Sequence, residues 1–237
     1  MSEHSVDVLR KAFARSVYFH SVGGILTHNS GCLLEGCLEL GIPVKICAPK
    51  ITSRPISMPL QDVDLKPLVT PPYAGYAGYI VDITHTNVFA PFEGIQDGRI
   101  AYLNQNDVGI FSRIPDGHLM FIAHASRFAS RGGLRRPIAF GMSNGLIRAT
   151  EKRKPFKQTG CVTVHLDFEK YGFDLPHLPQ PWVHYAPLDL DNLAGCVEQL
   201  MDRRGAWEQI AEAGRAWAIE HYAPAPTAVR ALSALLE

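Results

Sequence analysis

Residues 16 to 49 restrict the fold more than any other stretch of this chain. Ser16 to His20 (SVYFH) is a short β-branched and aromatic run, and Ser21-Val22-Gly23-Gly24 carries turn chemistry. Leu33, Leu34, Cys37, Leu38 and Leu40 then recur at helical spacing, Gly41-Ile42-Pro43 stops the helix, and Val44 to Ala48 is a second strand. Strand, glycine turn, helix and strand make a βαβ unit, which is right-handed and pairs its two strands in parallel. The expected class is therefore α/β with a mostly parallel sheet.

Pro55 to Tyr79 is rich in Pro, Gly and Tyr and reads as an irregular crossover. Three strand-like runs follow, Tyr79 to Thr84, Arg99 to Leu103 and His118 to Ala123. Each ends in polar residues: His85-Thr86-Asn87, Asn104-Gln105-Asn106-Asp107 and His124-Ala125-Ser126-Arg127. Ligands of open parallel sheets bind outside the carboxyl ends of the strands, so these clusters are expected on one functional edge. Gly23 and Gly24 belong to the same edge, where a residue without a side chain lets backbone amides approach a phosphate or sugar at the positive end of a helix. A tight turn with no ligand is the competing reading of the pair. His20, His85 and His124 stand at or just after strand ends, where an imidazole can act as general base, although each singly is as readily a structural histidine.

Near Arg135 a second unit is expected to begin, dividing the chain into residues 1–134 and 135–237. Its strands are Pro137 to Met142, running into Ser143-Asn144-Gly145, then Gly160 to His165 and a short one around Trp182 to Tyr185. His165 and His184 hold positions there like those of the earlier histidines. The remainder reads as helix. Asp189 or Asp191 caps a helix striped with Leu193, Val197, Leu200 and Met201. Trp207, Ile210, Ala211, Gly214, Trp217 and Ala218 share one face of the next, which reads as core packing. Pro224 and Pro226 separate it from a last short helix through Val229, Leu232 and Leu236.

Composition narrows the function. Of the 237 residues 46% are hydrophobic, enough for a sizeable core, and 23 basic residues balance 23 acidic ones, so no chain-wide field draws in nucleic acid. No apolar run approaches the roughly 20 residues that span a bilayer, and the charged N-terminus does not read as a signal peptide, so a cytoplasmic location is expected. Five cysteines without C-x-x-C spacing read as reduced core residues, and no pair of histidines has metal-ligand spacing, so no metal is expected. The turn HSVGGILTHNSG lacks the G-x-G-x-x-G fingerprint and its acidic partner, which disfavours NAD; a Walker loop and a G-x-S-x-G elbow are absent as well. Charge is concentrated. Arg127, Arg131, Arg135, Arg136, Arg148, Lys152, Arg153, Lys154 and Lys157 face a lone acid, Glu151, in one segment. A solvated face, a diphosphate site, RNA and an anionic membrane surface all fit that segment, the last making the protein peripheral to the inner membrane face; no recognition-helix pattern accompanies it, so DNA is not expected.

Two stretches resemble the glycosyltransferases built from two Rossmann-like domains, the GT-B type. VYFHSVGGILTHNSGCLLEGCLELGIPVKICAP is similar to their opening strand, double-glycine loop, helix and strand, and the segment from Asp189 to Leu232 is similar to the closing helices of the retaining group-1 and O-glucosyltransferase members. The resemblance implies a GT-B-like fold of two Rossmann-like halves with a helical C-terminus, a nucleotide-diphosphate sugar as substrate with no separate cofactor, and a glycan or lipid-linked acceptor, as in polysaccharide biosynthesis. It implies donor contacts from Gly23, Gly24, Ser143, Asn144, Arg148, Lys152 and His184, and a reaction centre faced by His85 or His124, one of which would deprotonate the acceptor in an inverting transfer. The family's paired donor-site glutamates have no counterpart, since Glu151 and Glu169 do not match them. A binding protein of this type that transfers nothing, and an anion- or RNA-binding module, therefore stay open as alternatives.

Overall fold

Short β-branched and aromatic runs flanked by glycine and proline can bury both faces only in the middle of a parallel sheet, and the chain builds such a sheet. A computed structural model describes residues 3–21, 24–48, 50–52, 59–71, 75–84, 99–105, 118–123, 134–138, 141–153 and 162–237. Six strands, β1 (Val17–Ser21), β3 (Val44–Ile46), β5 (Gly78–Asp82), β6 (Arg99–Asn104), β7 (Leu119–Ile122) and β8 (Leu134–Pro137), pair in the order β3-β1-β5-β6-β7-β8, every pair parallel. β2 (Ile25–Leu26) and β4 (Lys50–Ile51) form a separate short parallel pair. The α/β class and the opening βαβ unit stand as expected. β8 differs: the strand expected at Pro137 to Met142 begins at Leu134 and is the last strand of the first sheet, in register with β7.

One face of the sheet is covered by α1 (Glu3–Ala12), α2 (His28–Glu39) and the C-terminal α6 (Pro224–Leu236). Their side chains merge into one apolar cluster that includes Leu9, Phe13, Phe19, Leu33, Ile80, Leu103, Phe121 and Leu232. The other face carries a tyrosine-rich cluster of Tyr18, Tyr76, Tyr79 and Tyr102 with Val81, Met120 and Ile122. Burial pushes the Tyr102 phenol up to about 12. α6 lies directly on α2, with Gly36 facing the carbonyl of Pro224 and the methyl of Ala228. The end of the chain is thus built into the core of its beginning.

Between β8 and α6 the chain forms α3 (Asn144–Arg153), a two-stranded parallel pair of β9 (Val164–Leu166) and β10 (Ala186–Leu188), α4 (Leu193–Asp202) and α5 (Trp207–Tyr222). The run around Trp182 to Tyr185 is a tight turn closed by a bridge between Pro181 and Tyr185, with Trp182 at positive φ, and the strand starts only at Ala186. Neither aspartate caps α4; the side chain of Asn192 does, accepting from the amide of Gly195. Among the described residues no helix is long and apolar enough to cross a membrane, and Cys32, Cys37, Cys47 and Cys196 are unpaired.

Candidate functional site

Strand order reverses between β1 and β5, since β3 follows β1 outward on one side and β5 to β8 run out on the other. A crevice is expected at the carboxyl end of that pair. A buried polar network fills it. Asp82, at the end of β5, is buried and accepts from the amide and hydroxyl of Thr27 at 2.9 and 2.6 Å, from the hydroxyl of Ser30 at 2.5 Å and from the amide of Thr84 at 3.1 Å. Gln105, just past β6, donates to the Thr27 hydroxyl. A buried carboxylate needs such a donor set, and here it ties the start of α2 to the ends of β5 and β6. Beside it, Ser21 closes the end of β1 by donating to the carbonyl of Ile25 and accepting from its amide. Gly24 takes the left-handed φ of +70° in that turn, and its Cα faces open space: an added Cβ would meet nothing within 4 Å. Gly23, His85 and His124 lie outside the described residues. Burial holds the His20 imidazole below the usual range.

From this crevice, contacts run along the first turn of α2 to the segment preceding α3. His28 Nε2 is 2.8 Å from the carbonyl oxygen of Gly141, the Gly141 amide donates to Asn29 Oδ1, and the amide of Met142 donates to the carbonyl of Tyr222 at the end of α5. Ser143 is buried, and its hydroxyl accepts from the amide of Leu146 in the first turn of α3. The Asn144 amide donates to the buried Glu35 and its side chain to Glu39, both on α2. Glu35 also accepts from Leu60; burial raises its carboxyl above the usual range, against these two amides. Arg148 forms a 2.6 Å pair with Asp62 at an exposed position, and Lys152 follows one turn later on α3. Ser143, Asn144 and Arg148 are thus engaged with α2, α3 or the segment after β4.

Met142 is also on the wall of a half-open cavity of about 350 Å³ lined by α3, β9, the 179–185 segment and α5. His184, expected from the sequence at the donor site, is there: its ring stacks on Trp217 with centroids 5.5 Å apart and accepts from the amide of Gln180 through Nδ1. Burial, with a contribution from His221, lowers its pKa, so the acceptor role of Nδ1 and the neutral ring agree. His165, stacked on Phe168 at 4.2 Å, lines the same cavity. α5 contributes Glu212, Arg215 and Trp217. It approaches so closely that a Cβ on Gly214 would stand 2.1 Å from the carbonyl oxygen of His184, which explains a glycine in mid-helix. Arg215 is held by a 3.2 Å bond from Nε to the Thr150 hydroxyl. Among the described residues its buried Nη2 has no hydrogen-bond partner; Glu151 is 3.9 Å away, close enough for charge and too far for a hydrogen bond.

Arg215 and Trp217 are the site residues that periodicity hid. The stripe reading assigned the Trp207–Ala218 face to packing, and Ile210 does pack in the interior, while Ala211, Gly214, Trp217 and Ala218 line the cavity. A mid-helix glycine, Gly214, followed by Arg215 and Trp217 is the signal the sequence offers. The cavity joins one fixed cation to aromatic walls, an arrangement suited to a flat ring carrying an anionic group. Of the basic segment, Arg135 and Arg136 are on β8 at the sheet edge and Arg148, Lys152 and Arg153 are on α3, while Arg127, Arg131, Lys154 and Lys157 lie outside the described residues. Among the described residues no group of three or more His, Cys, Asp or Glu side chains is placed to hold a metal. Compared with protein-family models, with curated proteins and with solved structures, the chain matches none.

Proposed function

We propose that this chain binds a sugar nucleotide and is a glycosyltransferase that moves a hexose from a nucleotide-diphosphate donor to a glycan or lipid-linked acceptor. The observation that carries the reading is the 350 Å³ cavity walled by the His184–Trp217 stack, with the buried Nη2 of Arg215 lacking a hydrogen-bond partner among the described residues. On this reading the six-stranded sheet is one Rossmann-like half and takes the acceptor, and the portion with α3, β9, β10, α4 and α5 is a reduced second half that takes the donor. The base stacks against the aromatic wall and the diphosphate meets Arg215, the role expected from sequence for Arg148 and Lys152. The acceptor hydroxyl oxygen bonds to the anomeric carbon as the bond from that carbon to the diphosphate oxygen breaks. The leaving diphosphate keeps the electron pair and is stabilised by the guanidinium. In an inverting course the hydroxyl proton goes to His85 or His124; in a retaining course no side chain is needed in that role, and the departing diphosphate oxygen takes the proton.

A thermal-shift screen against UDP, GDP, ADP, CMP and TDP sugars and their free nucleotides, with NAD and a short RNA as controls, tests the reading. A ligand at about 100 times its dissociation constant stabilises by roughly 2.7 kcal/mol, which for a chain of this size raises Tm by about 5–11 °C. One nucleotide series is expected to give that shift in the wild type and to lose it in Arg215→Met and in Gly214→Ala, whose added methyl displaces the His184 backbone. No shift with any nucleotide sugar would sink the donor-binding premise. A shift without transfer to any acceptor would favour the binding-protein reading, which the missing pair of glutamates supports.

A further inference from the structure

α4 turns an apolar stripe to solvent. Leu193, Val197 and Met201, at positions i, i+4 and i+8, are 48%, 56% and 51% exposed, and Leu190, just ahead of the helix, is 55% exposed. No residue of α4 is buried. The helix is nevertheless well fixed: Asn192 caps its start, Trp207 Nε1 donates to the carbonyl of Leu200 near its end, and Tyr171 donates to Asp189 and accepts from the amide of Leu190 in the turn that precedes it. A fixed helix that keeps about half the surface of four large apolar side chains in water has a face made for a partner.

We propose that this face pairs with the same face of a second copy of the chain, α4 against α4, antiparallel about a two-fold axis at Val197. The charge pattern selects that occupant. With Val197 on the axis, Leu193 lies four positions before it and Met201 four after, so each meets the other across the pair. Asp191 and Arg203 lie six positions on either side; Asp189 and Asp191 share the one cation of Lys170, so the end that stays net acidic meets the basic Arg203-Arg204 end of its partner. Arg203 is already positioned over the ring of Trp182 at 4.6 Å, and Val183, next in the chain, adds another exposed apolar residue. A membrane surface fits less well, because α4 and its flanks expose the acids Asp191, Glu198 and Asp202, which anionic headgroups repel. Five apolar residues per copy belong to the small interface class, below about 1,200 Å² in total, so the pair is a reversible one.

Sedimentation equilibrium of the full chain, from about 1 to 300 µM, reads the association directly. The weight-average mass is expected to rise from 26.1 kDa toward twice that value. Val197→Glu, an exposed change that leaves the fold intact by circular dichroism, should weaken pairing by at least about 100-fold, because it sets two carboxylates against each other on the axis. Arg203→Glu should weaken it by roughly tenfold, and Asp191→Arg combined with Arg203→Glu should restore it, since the reversed charges meet again across the same register. A mass that stays at 26.1 kDa throughout, a dimer indifferent to Val197→Glu, or a double variant no tighter than Arg203→Glu alone overturns the proposal. Flotation of monomer with phosphatidylserine vesicles, lost in Val197→Glu, would overturn it in favour of a membrane.

Discussion

Gly36→Ala tests how far the C-terminal helix is built into the core. An added Cβ would stand 2.1 Å from the carbonyl oxygen of Pro224, 2.5 Å from its carbonyl carbon and 2.7 Å from the methyl of Ala228. The first two are backbone atoms and the third is on a buried helix, so no flexible side-chain end can yield and α2 and α6 must separate by close to an ångström. Overpacking of this kind costs about 1–3 kcal/mol, and contact with backbone on two of three sides argues for the upper end. Alanine in place of a mid-helix glycine returns about 1 kcal/mol of helix propensity. The net loss of about 2 kcal/mol lowers Tm by roughly 4–8 °C for a domain of this size. Differential scanning calorimetry of Gly36→Ala beside Gly205→Ala is the assay. Gly205 has nothing within 4 Å of an added Cβ, so its variant should melt with the wild type. A Gly36→Ala protein that melts at or above the wild-type temperature would refute the close approach of α2 and α6.

Asp82→Ala removes the acceptor of four hydrogen bonds and strands the donors of the buried Thr27 and Ser30 and of the partly buried Thr84; unfolding in urea should show a loss of about 3 kcal/mol or more, and a loss under 1 kcal/mol would mean that water replaces the carboxylate at the end of β5. Acidification should also destabilise the fold. Partial burial holds His20 and His184 below the usual imidazole pKa, and at the exposed His177 local desolvation and the stacked His221, 4.4 Å away, act in the same direction. The unfolded chain therefore binds protons more readily, so the contribution of these histidines is present above about pH 6.5 and is lost as pH falls through their lower folded values. Tm measured from pH 7.5 down to 5 should fall, less steeply in His177→Gln; a flat profile would contradict the lowered imidazole values.

Much of the scaffold was legible in short patterns. Val17–Ser21, Val44–Ile46 and the three strands at Gly78–Asp82, Arg99–Asn104 and Leu119–Ile122 coincide with apolar runs bounded by turn residues, because a strand buried on both faces has few other compositions open to it. α3 was missed: NGLIRATEKR has few apolar residues to mark a face, and the helix is held by Glu35 and Glu39 from a segment more than a hundred positions away. β8 was assigned to the wrong side of a boundary for a related reason. Arg135 and Arg136 belong to the basic segment where a second unit is expected to begin, yet an edge strand tolerates such charge and is discouraged by it from pairing further.

The stripes on α4 and α5 show where sequence stops. Both follow the same period, and the α5 stripe reads as core packing. Periodicity reports which side chains share a face, and it says nothing about what that face meets. Tertiary structure turned Leu193, Val197 and Met201 to solvent and set Trp217 and Arg215 on a cavity with His184. The sequence alone determined the α/β class, the parallel opening unit and the helical end, because local composition and period suffice for these. Strand order, the buried network on Asp82 and the cavity beside Arg215 depend on residues brought together from distant parts of the chain. Only the folded whole supplies that information.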